Sequence, residues 1–409
     1  MIQCLHGFGR GECRYLISFP DSDTAADACH TKSGFPGATG GMMLVHANRK
    51  RVFYLDLLKF VCIYTMIVCH LFYDFYTYAH ESAQGMIPGL MSMENTLYLI
   101  APGIFIFCLG GGLYLCRTKT WNYFVHRGFS LLAIGLILNV FRWLIPYWIT
   151  RNPGPAEGFP DVVFYHLFGS DILFFAGLFF LLYGLLARLT DRLWIRFGIL
   201  ALLNIAGVFI PPVETASPRW NVILSNFVYV PEISIFQLFQ WCVFPVAGYC
   251  FVKAERNASR KTRFVLLTAI GSGIVFLTVM FLLRSFGQNF EDHLFWYVDC
   301  NLWPTRLILL LCVTVFWTCL IWFLAILFRN EHVKDLISMV SRNLNRIYVI
   351  HWIVIAYGEI ILFNKFGLTL RNYAFLIIAP IVVFVISVWL ARVYEKAKMK
   401  FNEKRHSAS

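Results

Sequence analysis

From residue 54 onward, apolar runs of about twenty residues alternate with short polar stretches. That is the length a helix needs to cross the hydrocarbon of a bilayer. Ten such runs stand at roughly 54–78, 95–116, 124–146, 168–188, 193–212, 234–253, 264–284, 303–328, 345–364 and 373–394. The connections carry helix-breaking residues, among them Pro153-Gly154-Pro155, Pro211-Pro212, Ser285-Phe286-Gly287 and Phe366-Gly367. Strict apolar–polar alternation, the signature of a membrane barrel, is absent, and an open sheet in lipid would strand its backbone N–H and C=O groups. The pattern predicts an all-α, polytopic transmembrane bundle of about ten spans with no nameable internal repeat.

Composition removes the soluble alternatives. Of 409 residues, 58% are hydrophobic and 14% charged, against about 45–50% and about 25% in a soluble domain. So few charges cannot cover a 47.3 kDa globule in water, and a mean hydropathy of +0.64 points to lipid. The net charge of +12 would suit nucleic acid, but its distribution follows topology. Lys and Arg gather at 49–51, 117–127, 188–196, 253–263, 329–346 and in the tail after Arg392. The alternate loops and their flanks hold only Arg142, Arg151, Arg219, Arg284, Arg306, Lys365 and Arg371. By the positive-inside rule both termini are cytoplasmic, in a multi-pass protein of the plasma membrane with no nucleic-acid partner. A homodimer is compatible with the pattern.

Residues 1–46 are mixed in polarity and lack the apolar stretch of a secretory signal. They read as a disordered tail, or as a start placed upstream of Met42 and Met43. Residues 47–396 form the membrane domain, and 397–409 a basic cytoplasmic tail. Of the 12 cysteines, eight lie in or beside apolar runs and none forms a C-x-x-C pair, so neither a disulfide framework nor a metal site is expected. Gly110-Gly111-Gly112 lacks the Lys-Ser/Thr of a phosphate loop and reads as small residues for close helix packing.

Ionisable groups inside lipid are costly and point to function. The first run holds Lys59, His70 and Asp74. Lys59 and His70 share a face, about 16 Å apart along the axis. His70 and Asp74 are at i and i+4, so the carboxylate can orient the imidazole as a general base. Further polar residues recur at the opposite end of the bundle from Lys59: Asn139 and Arg142, Asp171, and His351 with Glu359. An arginine at the depth of Arg142 needs a partner, and Asp171 is the candidate.

Several short stretches resemble one family. Lys59, followed after ten residues by His70, is similar to the Arg/Lys-x10-His signature of acyltransferase-3 membrane enzymes. His70-Leu-Phe-Tyr-Asp74 looks more like the related heparan-α-glucosaminide N-acetyltransferase type. Arg127-Gly128 leading to Gly135-Leu-Ile-Leu-Asn139, Asp171 with Gly177-Leu178, and Tyr348-Val-Ile-His351 resemble later helices of the group. Departures are Lys59 for the commoner Arg and Phe60 for the usual Gly. The resemblance implies transfer of an acyl group, most simply acetyl, from cytosolic acyl-CoA to a hydroxyl or amine of a cell-envelope carbohydrate. It implies His70 and Asp74 as catalytic, and Lys59 and Arg127 as acyl-CoA contacts. Asn139, Arg142, Asp171, His351 and Glu359 become acceptor-side residues, with no metal. Two alternatives stand beside it: a proton-coupled secondary transporter with Lys59, His70 and Asp74 as relay, and a non-enzymatic membrane subunit of polysaccharide export.

Overall fold

The computed structural model describes residues 52–79, 88–116, 120–151, 156, 159–288, 301–361 and 373–407; the side chains of 72–79, 88–100, 373–376, 402 and 404–407 lie outside the described set. Regular structure among the described residues is helical. In chain order the elements are α1 Phe53–Ala79, α2 Pro88–Leu115, α3 Trp121–Asn139, a π-helical turn Val140–Leu144, α4 Ile145–Thr150, α5 Val162–Phe168, α6 Ile172–Leu189 and α7 Leu193–Phe209. There follow α8 Pro218–Leu224, α9 Leu238–Trp241, α10 Val243–Asn257, α11 Lys261–Ser285, α12 Pro304–Leu327, α13 Glu331–Arg342, α14 Leu344–Glu359 and α15 Tyr373–Ser407. Among the described residues six helices are long and apolar enough to cross a membrane: Phe53–Leu71, Trp121–Thr150, Ile172–Leu189, Lys261–Ser285, Pro304–Leu327 and Ile377–Phe401. Ala101–Leu115 and Leu193–Phe209 are shorter apolar helices.

Each of the ten apolar runs carries helix, although several bounds differ from the sequence pattern (the last helix runs on to Ser407), and two differences bear on the site. The run at 234–253 is broken, with the single turn α9 ahead of α10. Side chains take over the hydrogen bonds that a continuous helix would make: Asn204 Nδ2 donates to the carbonyls of Phe239 (3.2 Å) and Gln240 (2.7 Å). Gln240 Nε2 donates in turn to Gly207 O at 2.9 Å and Asn301 Oδ1 at 2.8 Å. Irregular backbone is tolerated at membrane depth only when it is satisfied in this way. The second difference is the run at 124–146, which continues through the π turn to Thr150. The sequence pattern also leaves out α5, α8 and α13. The first two are too short to show a period, and α13 is amphipathic rather than apolar. Ser338 and Ser341 on α13 donate to Asp56 at 3.0 and 2.6 Å, fastening it to the start of α1.

Glycine decides the tightest crossings. A Cβ on Gly110 of α2 would stand 1.8 Å from the Pro245 carbonyl of α10, and one on Gly248 would stand 2.0 Å from the Phe107 carbonyl. The two backbones meet directly, as small residues permit where lipid supplies no hydrophobic drive between helices. Gly112, two residues along the same run, has nothing within 4 Å of its would-be Cβ. Gly128 and Gly177 do the same for α3 and α6, each facing the other's carbonyl. That contact brings the end of α3 beside the start of α6. On the perimeter, Leu277 and Phe281 of α11 are 66% and 70% exposed, as befits side chains whose solvent is lipid.

Candidate functional site

The π turn follows from one residue. Pro146 has no N–H, so it cannot close the helical bond to Arg142. The ladder slips instead, and the Ile145 N–H reaches back five residues to Val140 O. Such single π turns favour functional sites because they re-aim side chains within a helix. Here Phe141 stays exposed while Arg142 turns inward and is buried.

Arg142 is met by two elements. Its Nη2 donates to Asp171 Oδ2 at 2.8 Å, with both side chains 6% exposed. The same nitrogen donates to Asn139 Oδ1 at 2.8 Å. Asn139 Nδ2 donates to Leu167 O at 3.0 Å, tying α3 to α5. Asp171 is the N-cap of α6, accepting from Leu173 N at 2.8 Å, and it also accepts from the Tyr348 hydroxyl of α14 at 3.1 Å. One carboxylate thus joins the π turn, α6 and α14. A carboxylate held by a guanidinium, a backbone N–H and a hydroxyl has most of its lone pairs satisfied, which is what burial of an ion pair requires.

Rings fill the space between this ion pair and α1. The Arg142 guanidinium carbon lies 4.3 Å from the centre of the Trp352 ring and 5.2 Å from that of Trp143. His70 packs on Trp352 at 3.9 Å between centroids and stacks with His351 at 5.5 Å and 20° between planes. Tyr348 meets His351 edge-on at 5.3 Å. Trp143 lies parallel to His166 at 6.0 Å, and Tyr147 adds a further ring at 5.8 Å. Helix α5, which carries His166, is capped by Asp161. Its Oδ1 accepts from Phe164 N at 3.0 Å and its Oδ2 from Arg219 Nε at 2.8 Å. The backbone N–H first, and the guanidinium second, hold the Asp161 carboxyl below the usual carboxylate range.

Among the buried polar atoms of this cluster without a hydrogen-bond partner in the described residues are His70 Nε2, His351 Nε2 and Arg142 Nε. Among the described residues, two imidazole nitrogens and one guanidinium N–H of the cluster therefore have hydrogen-bonding capacity unspent. Unsatisfied groups at this density call for a reason, and a reaction site is one.

The structure brings His70, Asn139, Arg142, Asp171 and His351 into one cluster. Asp74 falls outside the described side chains. Glu359 closes α14 about 12 Å along the axis beyond His351 and is half-buried. Lys59 and Arg127 lie elsewhere by helical rise, Lys59 about 16 Å from His70 on α1 and Arg127 about 22 Å from Arg142 on the α3 segment. Both are half-buried, with Cys108 an electrostatic neighbour of Lys59, and Tyr123 and Cys116 of Arg127. Sequence reasoning missed Trp352, Trp143 and His166. Their signal was weak, because 12 Trp and 40 Phe in an apolar chain hide the few rings that line a site.

The acyltransferase domain of the acyltransferase-3 family matches residues 52–392, more than four-fifths of the chain. The chain belongs to the acyltransferase-3 family. No curated protein matches it. As an acyltransferase-3 member it is a membrane acyltransferase, and the family match sets the transporter reading aside. Among the described residues no three His, Cys, Asp or Glu side chains gather closely enough to hold a metal ion.

Proposed function

We propose that this membrane acyltransferase takes an acyl group, acetyl by preference, from acyl-CoA on the cytosolic face. It passes the group to a hydroxyl or amine of a cell-envelope carbohydrate on the outer face. In this reading the chain crosses the plasma membrane ten times with both termini in the cytosol. The Lys59 and Arg127 end then faces the cytosol, where cations can meet the phosphates of CoA by charge-assisted hydrogen bonds. The His70 end faces outward. What carries the reading is the unspent hydrogen-bonding capacity of His70 Nε2 and Arg142 Nε inside one buried cluster.

The chemistry is an acyl substitution. The acceptor oxygen or nitrogen attacks the thioester carbonyl carbon while His70 takes the acceptor's proton. The carbonyl oxygen gains negative charge, which the Arg142 Nε–H is suited to stabilise, its guanidinium already fixed by Asp171 and Asn139. The carbon–sulfur bond breaks, and the CoA thiolate leaves with the proton that His70 returns. Asp74 orients His70 in this scheme. Asp171 acts through Arg142, and His351 and Glu359 lie on the acceptor side.

The test is binding and turnover of radiolabelled acetyl-CoA by the purified full chain in detergent, wild type beside His70→Ala. Label bound by both proteins, and hydrolysed or transferred by the wild type alone, is the expected result. Equal turnover by the two would remove His70 from the chemistry. No binding by either would remove acetyl-CoA as donor.

A further inference from the structure

His351 sits wholly buried on α14, packed between the His70 and Tyr348 rings. Its Nδ1 lies 3.1 Å from the Ile347 carbonyl oxygen, one turn back on the same helix. A carbonyl has no proton to give, so the ring nitrogen at this contact carries the hydrogen. In a neutral imidazole only one nitrogen is protonated, so the other, Nε2, presents a lone pair. That lone pair is buried and has no donor among the described residues. Resting on the acyl-transfer reading above, we propose that His351 binds the acceptor. Its Nε2 takes a hydrogen bond from the O–H or N–H of the acceptor and holds that group beside His70.

The stacking gives the assignment its direction. The His70 and His351 rings lie 5.5 Å apart between centroids, yet neither Nε2 has a hydrogen-bond partner among the described residues, so the two imidazoles do not satisfy one another through these nitrogens. Among the described residues each Nε2 is left open to a group that enters the site. His351 has its tautomer fixed by the helix itself, whereas no backbone contact of that kind fixes His70 among the described residues. A group with a locked lone pair suits recognition of a donor, and one free to exchange its proton suits the transfer step. The acceptor class that follows is a neutral hydroxyl or amine with a hydrogen to donate; a group without a donor hydrogen has no contact to make here.

Two substitutions separate this role from a structural one. Asparagine at 351 places an amide near the Nδ1 position and can keep the contact to Ile347 O, but it deletes the far acceptor. Glutamine reaches the Nε2 position with its carbonyl oxygen and gives up the near contact. Acetyl transfer is read with water and with p-nitrophenyl β-glucoside as acceptors, and acetyl-CoA affinity is read alongside. His351→Asn should lose about tenfold or more in transfer with acetyl-CoA affinity unchanged, and His351→Gln should retain most of it. The reverse order, or equal loss, would assign His351 to helix structure and overturn the proposal, as would full activity in His351→Asn. The nitrogen-15 spectrum of histidine-labelled wild type, with the His351 signals assigned by difference from His351→Gln, supplies an activity-free reading. An unprotonated Nε2 is expected, and a protonated Nε2 would refute the proposal. Failure of the wild type to bind acetyl-CoA would instead count against the donor assignment and leave the nitrogen measurement to decide on His351.

Discussion

Removing the charge of Asp171 while keeping its shape isolates the ion pair at the centre of the cluster. Asp171→Asn retains an oxygen to cap α6, since asparagine is as good an N-cap as aspartate. It retains a partner for the Tyr348 hydroxyl as well. What it loses is the counter-charge of Arg142, whose side chain is 6% exposed and reaches Asp171 at 2.8 Å. A buried guanidinium left uncompensated costs about 3–5 kcal/mol. With Arg142→Met in the background the stranded charge is the Asp171 carboxylate itself, so the same Asp171→Asn change should cost nothing or stabilise. The coupling in the double-mutant cycle is therefore at least the single-mutant effect. Reversible unfolding of the full chain by SDS titration in mixed micelles, followed by helical circular dichroism, gives the four free energies. If Asp171→Asn costs less than about 1 kcal/mol, or if the two changes add to within about 0.5 kcal/mol, the pair does not bind the π turn to α6 as described.

Two further outcomes follow from the structure. Gly110→Ala should part α2 from α10 and lower the yield of folded protein, because its Cβ would meet the Pro245 carbonyl at 1.8 Å, whereas Gly112→Ala in open space should be silent; comparable yields for the two would refute the crossing. Asp161 has its pKa depressed by the Phe164 N–H and Arg219, so the stabilisation it gives α5 is present above about pH 4 and is lost as pH falls through the lowered value. The protection factors at 162–168, that is, exchange corrected for its intrinsic pH dependence, should therefore fall on acidification in the wild type and be low at all pH values in Asp161→Ala; wild-type protection that does not change with pH would refute it.

Chain-local physics made the helical architecture legible, because an apolar run of spanning length has few other places to go. The same reasoning marked His70, Asn139, Arg142, Asp171 and His351, since a polar group at such depth stands out against apolar neighbours. It also suggested that Arg142 and Asp171 pair, although the two are 29 positions apart in the chain. Distance in space is what the sequence leaves open. Only the tertiary structure showed that Gly128 against Gly177 lets α3 and α6 approach, and that the ladder slip at Pro146 turns Arg142 inward. Only it placed Trp352 against both the guanidinium and the His70 ring. Periodicity reports which residues avoid water or lipid along one helix. Which helices share a face, and which nitrogen is left unsatisfied between them, depends on contacts far apart in the chain.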